Sequence, residues 1–454
     1  MIKTKNLSNI FFSSKASNYL LILFSFFLTI SPSISSIIIG LLFLKFLLSK
    51  EKKNKIYNAL KNNICFSIIL FFIFIILSGS WFQKSASLID LNSSLIHELN
   101  KTWVLLFCPL LFILKFDAQT KFYAKYAFII GLIINVLLGI VIHYNKSLMF
   151  LAKTGHYINE NYLHGFLDHS DLSILFCFGI FIILDELKKQ KSKKVLLFII
   201  LILLIFFLLN SYGRTGIVCL VILLPIFFAF KYSVKLNVLI SIISIIIIIL
   251  SFSFSKSFSI RLSNTINEIH DLVYGVSLND NIERHAKYMS NNDDLGRPIS
   301  YWKNRIISET NQSGDLVWIN HIINSENEKE TSLGKRLVLW NIYIQKIKEN
   351  KFFGKGLGSV KKLKKINTDI RESPHNNYLF VLTEFGIIGL LLFINIFISM
   401  IRDFFKSKKN VLKIIFPIMF LLAMWVNDYL FIYNTMAFFS LFSYLLFSAQ
   451  KEKT

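Results

Sequence analysis

Long apolar runs recur along this chain of 454 residues, and they constrain its fold more than any other feature. Hydrophobic residues make up 54% of the sequence, and phenylalanine alone occupies 46 positions. A soluble domain has no use for so much apolar surface, so the bilayer is predicted to be the solvent for most of the chain. Each span must be helical, because lipid offers no hydrogen-bond partners to open backbone groups.

The predicted fold class is an all-α, polytopic membrane bundle of about twelve transmembrane helices. The predicted spans are residues 18–31, 34–48, 63–79, 103–115, 122–144, 169–185, 194–210, 214–230, 235–254, 376–400, 411–426 and 429–448. A basic start and an apolar core open the chain, and another apolar run follows directly without a convincing cleavage site. We therefore expect the first helix to be retained rather than removed as a signal peptide.

One long polar insert, residues 255–375, interrupts the apolar runs. It divides the chain into residues 1–254 with helices 1–9, the insert itself, and residues 376–454 with helices 10–12. A loop this long is usually functional or disordered. Within it, residues 333–350 repeat apolar side chains at helical spacing, which predicts a short helix against the bundle or the membrane interface.

Positive charge predicts the topology. The insert holds 19 of the 50 Lys and Arg residues. Most others cluster in short segments that share one side of the membrane if the N-terminus is cytoplasmic: Lys50–Lys61, Lys115–Lys125, Lys188–Lys194, Lys231 with Lys235, and Arg402–Lys413. By the positive-inside rule, both termini are cytoplasmic and the insert lies outside. The net charge of +23 is therefore a topology signal, and nucleic-acid binding is a poor explanation for it.

Metal and disulfide chemistry have weak support. The four cysteines lie within apolar runs, without metal-ligand spacing and outside the insert. One polar cluster at a helix entry is an open metal alternative, although its spacing matches no firm motif. Its members are His164, Asp168, His169 and Asp171. We predict no metal and no cofactor.

Two arginines are candidate anion-binding groups. Arg214 lies at the outer junction of two apolar helices, between glycines and hydroxyl side chains. Its guanidinium matches phosphate oxygens in a fork that an ordinary anchor does not require, but an anchor at the headgroup level is the alternative. Arg336 begins the predicted helix of the insert, with Lys335 beside it. A solvated helix face is the alternative for that pair.

His375 is the candidate general base. It follows Pro374 at the water boundary, immediately before the tenth apolar run. An imidazole at this boundary can accept a proton from a sugar hydroxyl near neutral pH; a purely structural histidine is the alternative. Glu384 lies more than two helical turns deeper, so we expect it to join a polar network within the bundle rather than to contact His375.

Three stretches together resemble the O-antigen ligase and polymerase superfamily of bacterial envelopes. The stretches are Ser211-Tyr-Gly-Arg214-Thr-Gly216, Arg336-Leu-Val-Leu-Trp340 leading into Phe353-Gly-Lys-Gly-Leu-Gly358, and His375-Asn-Asn-Tyr-Leu-Phe-Val-Leu-Thr-Glu384-Phe-Gly386-Ile-Ile-Gly389-Leu. The order of arginine, long outer loop and histidine also matches. One departure is the pair Lys351-Phe352, where a common family pattern has proline before the glycines.

The resemblance implies an enzyme and its partners. Such proteins are polytopic glycosyltransferases that use a polyprenyl-pyrophosphate-linked glycan, and ligases transfer it to lipid A–core oligosaccharide at the periplasmic face of the inner membrane. Carried onto this chain, it implies Arg214 and Arg336 as donor-diphosphate binders and His375 as the catalytic base, without a bound metal. We expect Asn376, Glu384 and Lys335 to support this site, and direct attack to invert the anomeric centre.

Two other activities within the superfamily stay open: an O-antigen polymerase, and a protein O-oligosaccharyltransferase. Nothing in the sequence identifies the acceptor. A membrane transporter is a further alternative from another class. Transporters carry polar residues along several helices near the midplane, whereas the strong polar groups of this chain gather at the outer mouth.

Overall fold

A computed structural model gives the fold. It describes residues 14–49, 52–82, 99, 102–152, 162–231, 286, 290, 297–305, 332–359, 373–407 and 410–448. Among these residues there is no strand, only one isolated bridge between Leu163 and Ser211. The all-helical prediction is therefore confirmed for the described part of the chain.

Eleven of the twelve predicted spans coincide with observed helices. The α-helices of the described residues are α1 (Ser14–Phe27), α2 (Pro32–Leu47), α3 (Lys52–Leu60), α4 (Asn63–Phe82), α5 (Phe107–Leu114), α6 (Ala118–Tyr144), α7 (His169–Lys189), α8 (Lys194–Asn210), α9 (Arg214–Lys231), α10 (Ser332–Glu349), α11 (Asn377–Ser407), α12 (Leu412–Ala423) and α13 (Tyr433–Phe447). Helix α3 follows the second predicted span, and α10 is the helix predicted within the insert. The predicted ninth span, residues 235–254, lies outside the described residues.

Three helices are long and apolar enough to cross a membrane: Ala118–Tyr144, Arg214–Lys231 and Asn377–Lys406. Helices α2 and α3 add a fourth if they form one bent span. Several others are apolar but shorter than the roughly 20 residues that cross the hydrocarbon core. Helix α5, for example, has eight residues, because a 3₁₀ turn at Trp103–Leu106 precedes it. The number of twelve spans stays a prediction.

The chain divides into two compact units: Met1–Ser257 with Lys346–Thr454, and Phe258–Gln345. In the first unit, α1 packs along α6, α4 along α11, and α7 between α8 and α9. Its core is built from phenylalanine rings on α7, α12 and α13, with Phe178, Phe416 and Phe442 as examples. The predicted boundaries at residues 255 and 375 stay a prediction.

In the second unit, Trp302 packs between two arginine side chains. Its side chain is buried, and the guanidinium groups of Arg297 and Arg305 lie 4.7 Å and 5.4 Å from its ring centroid. Such stacking over an indole stabilises a guanidinium. Tyr343, on the part of α10 that belongs to this unit, is fully buried as well.

Candidate functional site

His375 lies in a turn before α11, in a backbone conformation that histidine rarely adopts. Its φ is +49°, in the left-handed region, where a side chain with a Cβ costs about 1–2 kcal/mol. The His375 backbone N–H donates to Ser373 Oγ over 3.0 Å. On the ring, Nδ1 lies 3.2 Å from Asn427 Oδ1. The backbone turn and the ring are thus both held in place, and strain of this kind is common at functional sites.

Asn376 caps the N-terminus of α11. Its Oδ1 accepts hydrogen bonds from the backbone N–H groups of Tyr378 (2.9 Å) and Leu379 (3.1 Å), which have no partner within a helix. Its Nδ2 donates to the carbonyl of Trp425 over 3.1 Å. Asn376 therefore fixes the histidine turn to both the helix below it and the segment after α12. Its predicted supporting role in the site stays a prediction.

The end of α12 lies beside the start of α11. The backbone N–H of Asn377 donates to the carbonyl of Met424 over 2.9 Å. The Tyr378 hydroxyl donates to the carbonyl of Leu421 over 2.7 Å. These bonds satisfy carbonyls that the last turn of a helix leaves without intrahelical partners. The histidine turn is consequently anchored to the C-terminal end of α12.

Arg214 is the first residue of α9, and the glycines around it allow α9 to approach α7 closely. A Cβ on Gly213 or on Gly216 would overlap atoms of Ser173. The backbone N–H of Gly216 donates to Ser173 Oγ over 3.2 Å. The glycines of the Tyr-Gly-Arg-Thr-Gly stretch thus have a packing role, and the arginine is placed where two helices begin. Its side chain is half-buried.

Tyr429 connects the segment after α12 to the start of α7. Its buried hydroxyl donates to the carbonyl of Ser170, in the first turn of α7, over 3.4 Å. Asn427, two positions before Tyr429, contacts the His375 ring. The start of α9 is joined to the same turn of α7, because the backbone N–H of Gly216 donates to Ser173 Oγ. Polar contacts therefore join the starts of α7, α9 and α11.

Arg214 and His375 consequently lie at the same end of the bundle. The opposite end of α9 is marked by Lys231, whose ammonium pairs with Asp185 near the end of α7 over 2.6 Å. Helices α7 and α9 therefore run in the same direction, and both begin where α11 begins. A guanidinium and an imidazole at one rim of a helical bundle fit the predicted arrangement, while their roles in binding and catalysis stay predictions.

The glycine loop, defined here as residues 351–359, packs against a break in α11. Gly386 has a φ of +64° inside that helix, so the helix is kinked there. The loop backbone satisfies the carbonyls that the kink releases: Lys355 N–H donates to Thr383 (2.9 Å) and Gly356 N–H to Glu384 (2.8 Å). Gly354, Gly356 and Gly358 all have positive φ values. This backbone geometry accounts for the glycine spacing.

Glu384 holds the glycine loop from within the bundle. Its side chain is fully buried, and its Oε1 accepts a hydrogen bond from the backbone N–H of Gly358 over 3.1 Å. A buried carboxyl group needs such partners, because its desolvation is costly. Glu384 thus has a structural contact in the loop next to α11, and its support of the chemistry stays a prediction.

Lys355 extends from the glycine loop to the end of α10. Hydrogen bonds from Lys346 and Lys355 hold the pKa of Glu349 below its ordinary value. The Lys346 contact is 2.8 Å. Glu349 is largely exposed, so water screens these pairs, and they define a surface ion cluster rather than an anion site.

Arg336 and Lys335 lie in the part of α10 that belongs to the second unit. The Arg336 side chain is half-buried. Their predicted convergence on the donor diphosphate with Arg214 stays a prediction. Both are in the first turns of the helix, as the sequence predicts.

The polar cluster considered as a metal alternative has structural roles. Asp168 is the N-cap of α7, and its Oδ1 accepts the backbone N–H of Ser170 over 2.8 Å. Buried Asp171 accepts a hydrogen bond from Asn434 Nδ2 over 2.8 Å. Within the described ranges, no three or more His, Cys, Asp or Glu side chains are grouped so that they could hold a metal ion.

Sequence reasoning missed Asn427 and Tyr429. The available signal was a polar pair, Asn427-Asp428, between two predicted apolar spans. Such a pair reads as an ordinary interhelical turn, because the contacts that matter join it to residues far away in the chain. Only the fold brings it to the histidine turn.

The described part of the chain is thus a membrane-embedded helical protein with a polar network at one end of its bundle. Residues 199–394 match the model of the O-antigen ligase family. The match confirms the predicted resemblance to the O-antigen ligase and polymerase superfamily, and it includes all three stretches on which the resemblance was based. A search of curated proteins finds no match.

Proposed function

We propose that this protein is an O-antigen ligase of the bacterial inner membrane. It transfers a glycan from a polyprenyl-pyrophosphate carrier to lipid A–core oligosaccharide during lipopolysaccharide biosynthesis. The family match supports glycosyl transfer from a lipid-linked donor. The observation that carries the proposal is the strained His375 turn at the same end of the bundle as Arg214.

In the proposed reaction, an acceptor hydroxyl attacks the anomeric carbon of the donor glycan. His375 takes the hydroxyl proton, the new glycosidic bond forms, and the bond from the anomeric carbon to the pyrophosphate oxygen breaks. The electron pair of that bond goes to the pyrophosphate, so negative charge grows there in the transition state. Direct displacement inverts the anomeric centre.

Arg214 and Arg336 are proposed to stabilise that charge without a metal. A guanidinium offers two parallel N–H groups to phosphate oxygens, and fixed donors aimed at developing charge are worth about 10²- to 10³-fold in rate each. The start of α9 adds the positive end of a helix dipole beside Arg214. The polyprenyl chain of the donor and the lipid A anchor of the acceptor would both enter from the membrane.

The proposed topology places both termini in the cytoplasm and the site at the periplasmic face. The Lys231–Asp185 pair lies at the opposite end of the bundle from Arg214. It belongs to the end at which the sequence concentrates lysines, which is the cytoplasmic end by the positive-inside rule.

The direct test is reconstitution of the purified protein in vesicles with lipid-linked glycan and lipid A–core. We expect transfer that a chelator does not inhibit and that His375→Ala abolishes. Unimpaired turnover by correctly inserted His375→Ala would remove His375 as the base. Inhibition by a chelator, reversed by adding a divalent cation, would contradict metal-independent transfer.

The lipopolysaccharide of a deletion strain separates the ligase from its relatives. Loss of all capped lipopolysaccharide with accumulation of lipid-linked polymer indicates a ligase. A product capped by single repeat units indicates an O-antigen polymerase. Unaltered lipopolysaccharide with loss of protein glycosylation indicates a protein O-oligosaccharyltransferase.

A further inference from the structure

An imidazole acts as a general base through one nitrogen only, so the other nitrogen must carry the proton. Which nitrogen is protonated is set by the hydrogen bond that the opposite side of the ring makes. At His375, the group that faces Nδ1 is Oδ1 of Asn427, at 3.2 Å. The orientation of the Asn427 amide therefore determines the chemistry available to His375.

A backbone contact fixes the orientation of that amide. The backbone N–H of Asp428 lies 3.0 Å from Asn427 Oδ1, and because a backbone N–H can only donate, the atom facing it is the oxygen. The same oxygen lies 3.2 Å from Nδ1 of His375. The amide oxygen therefore faces the ring.

We propose that Asn427 is the positioning residue of His375: its Oδ1 accepts the Nδ1–H of the imidazole, so that Nε2 carries the lone pair that takes the acceptor proton. Tyr429 is the second member of this arrangement, since its hydroxyl ties the segment that carries Asn427 to the carbonyl of Ser170 at the start of α7. This inference rests on the proposed function, in which His375 is the base. Groups that orient a metal-ligating imidazole through its other nitrogen matter by about 10- to 100-fold, and we expect an effect of the same order at His375.

The charged groups around the network define what a change at Asn427 would do. Asp428 is its neighbour in the chain and is buried, and Asp171 of α7, also buried, directly follows Ser170, whose carbonyl accepts a hydrogen bond from the Tyr429 hydroxyl. Asn427 itself is neutral. Replacing it by aspartate adds a negative charge next to Nδ1 while keeping an acceptor oxygen there, so the imidazolium form of His375 becomes more stable.

The kinetic test compares Asn427→Ala and Asn427→Asp in the vesicle assay. Asn427→Ala should lower kcat by about 10- to 100-fold with little change in KM for either substrate, because the ring loses its orientation. Asn427→Asp should restore most of the rate at high pH. The acid limb of its pH–rate profile should move to higher pH by about one unit, because the added charge raises the pKa of His375 and the base must lose its proton before it can act.

Asp428→Asn tests the main alternative, in which Asp428 positions the His375 ring. If Asp428 rather than Asn427 positions the ring, its substitution should move the acid limb and lower kcat, and Asn427→Asp should leave the limb in place. The inference expects the larger effect at Asn427. Tyr429→Phe keeps the ring but removes the hydroxyl, and we expect a loss in kcat smaller than that of Asn427→Ala.

A spectroscopic readout separates this inference from the proposed function. The ¹⁵N spectrum of histidine-labelled protein, with His375→Gln used to assign the signal, should show the Nδ1–H tautomer in the unmodified protein and a tautomer mixture in Asn427→Ala. If His375→Ala transfers glycan normally, the base assignment is wrong whatever the spectrum shows. If His375→Ala is inactive but the tautomer and the acid limb are indifferent to Asn427, the inference alone is overturned.

Discussion

Gly354 and Gly386 face each other in backbone contact: a Cβ built on either would lie 2.5 Å from the backbone nitrogen of the other. Both residues have positive φ values, +68° and +64°. Two segments separated by 32 positions therefore meet where only hydrogen atoms fit. This contact holds the glycine loop against the kink of α11, about three helical turns below the histidine turn.

Substituting either glycine by alanine should destabilise the protein strongly. The change adds left-handed strain, about 1–2 kcal/mol, and steric overlap with backbone that cannot move away, about 1–3 kcal/mol. We expect Gly354→Ala and Gly386→Ala each to lower the melting temperature in detergent, measured by size-exclusion after heating. The matched control is Gly40→Ala in α2, whose Cβ would meet nothing within 4 Å. It should be neutral or stabilising, and an equal loss in all three variants would contradict the packing argument.

Glu384 should be replaceable by glutamine but not by alanine. Glutamine keeps an oxygen that can accept the Gly358 N–H, whereas alanine leaves that buried donor without its partner, at a cost of about 1–3 kcal/mol. Thermal unfolding in detergent and the transfer rate of both variants test this expectation. If Glu384→Gln folds normally but is inactive, the carboxylate charge itself takes part in the chemistry, contrary to a role in holding the loop.

The helices were largely predictable because the bilayer imposes a simple pattern. The predicted run 194–210 coincides with α8 (Lys194–Asn210), and the run 122–144 ends with α6 at Tyr144. In these segments, the apolar composition alone predicts which residues are helical. The number of spans does not follow from the same pattern, because α5 and α12 are shorter than the membrane is thick.

The candidate site was predictable only in part. His375 and Arg214 stand out in the sequence because each is an ionisable residue at the end of an apolar run. Asn427, which contacts the His375 ring, does not stand out. It lies 52 positions away, and nothing local distinguishes it from a turn residue. The contacts that hold the glycine loop against α11 were not predictable either, because they join backbone groups of segments far apart in the chain.

Arg214 should tolerate lysine poorly. Lysine keeps the charge but loses the planar pair of donors that fits a diphosphate, so we expect Arg214→Lys to raise the donor KM and to lower kcat about 10-fold or more, and Arg214→Gln to lower it about 10²- to 10³-fold. The measurement is the transfer rate as a function of donor concentration. Arg402→Lys, an exposed arginine near the end of α11, is the control and should transfer normally. Equal activity of Arg214→Lys and the unmodified protein would favour the anchor alternative.

The Lys231–Asp185 pair should stabilise the end of the bundle opposite to the site. Both side chains are nearly buried, 7% and 6% exposed, so removing one charge leaves the other poorly compensated. Lys189 still contacts Asp185, and we therefore expect Lys231→Gln to cost about 1–3 kcal/mol rather than the full penalty of an isolated buried charge. Lys193→Gln, at an exposed position on the same end, should cost less than about 0.5 kcal/mol. A double-mutant cycle with Asp185→Asn measures the coupling, and a coupling near zero would contradict the pairing.

Cysteine labelling tests the predicted sides of the membrane. The native cysteines Cys65, Cys108, Cys177 and Cys219 are all buried, so they give a low background with a membrane-impermeant maleimide. Lys146, just after α6, and Lys188, near the end of α7, are exposed. They belong to opposite ends of the bundle, because α7 begins beside the histidine network and α6 ends on that side. We expect Lys146→Cys to react from the periplasm, and Lys188→Cys to react only after the inner membrane is permeabilised. Labelling of Lys188→Cys from the periplasm would invert the topology and place the proposed site in the cytoplasm, where a periplasmic acceptor cannot reach it.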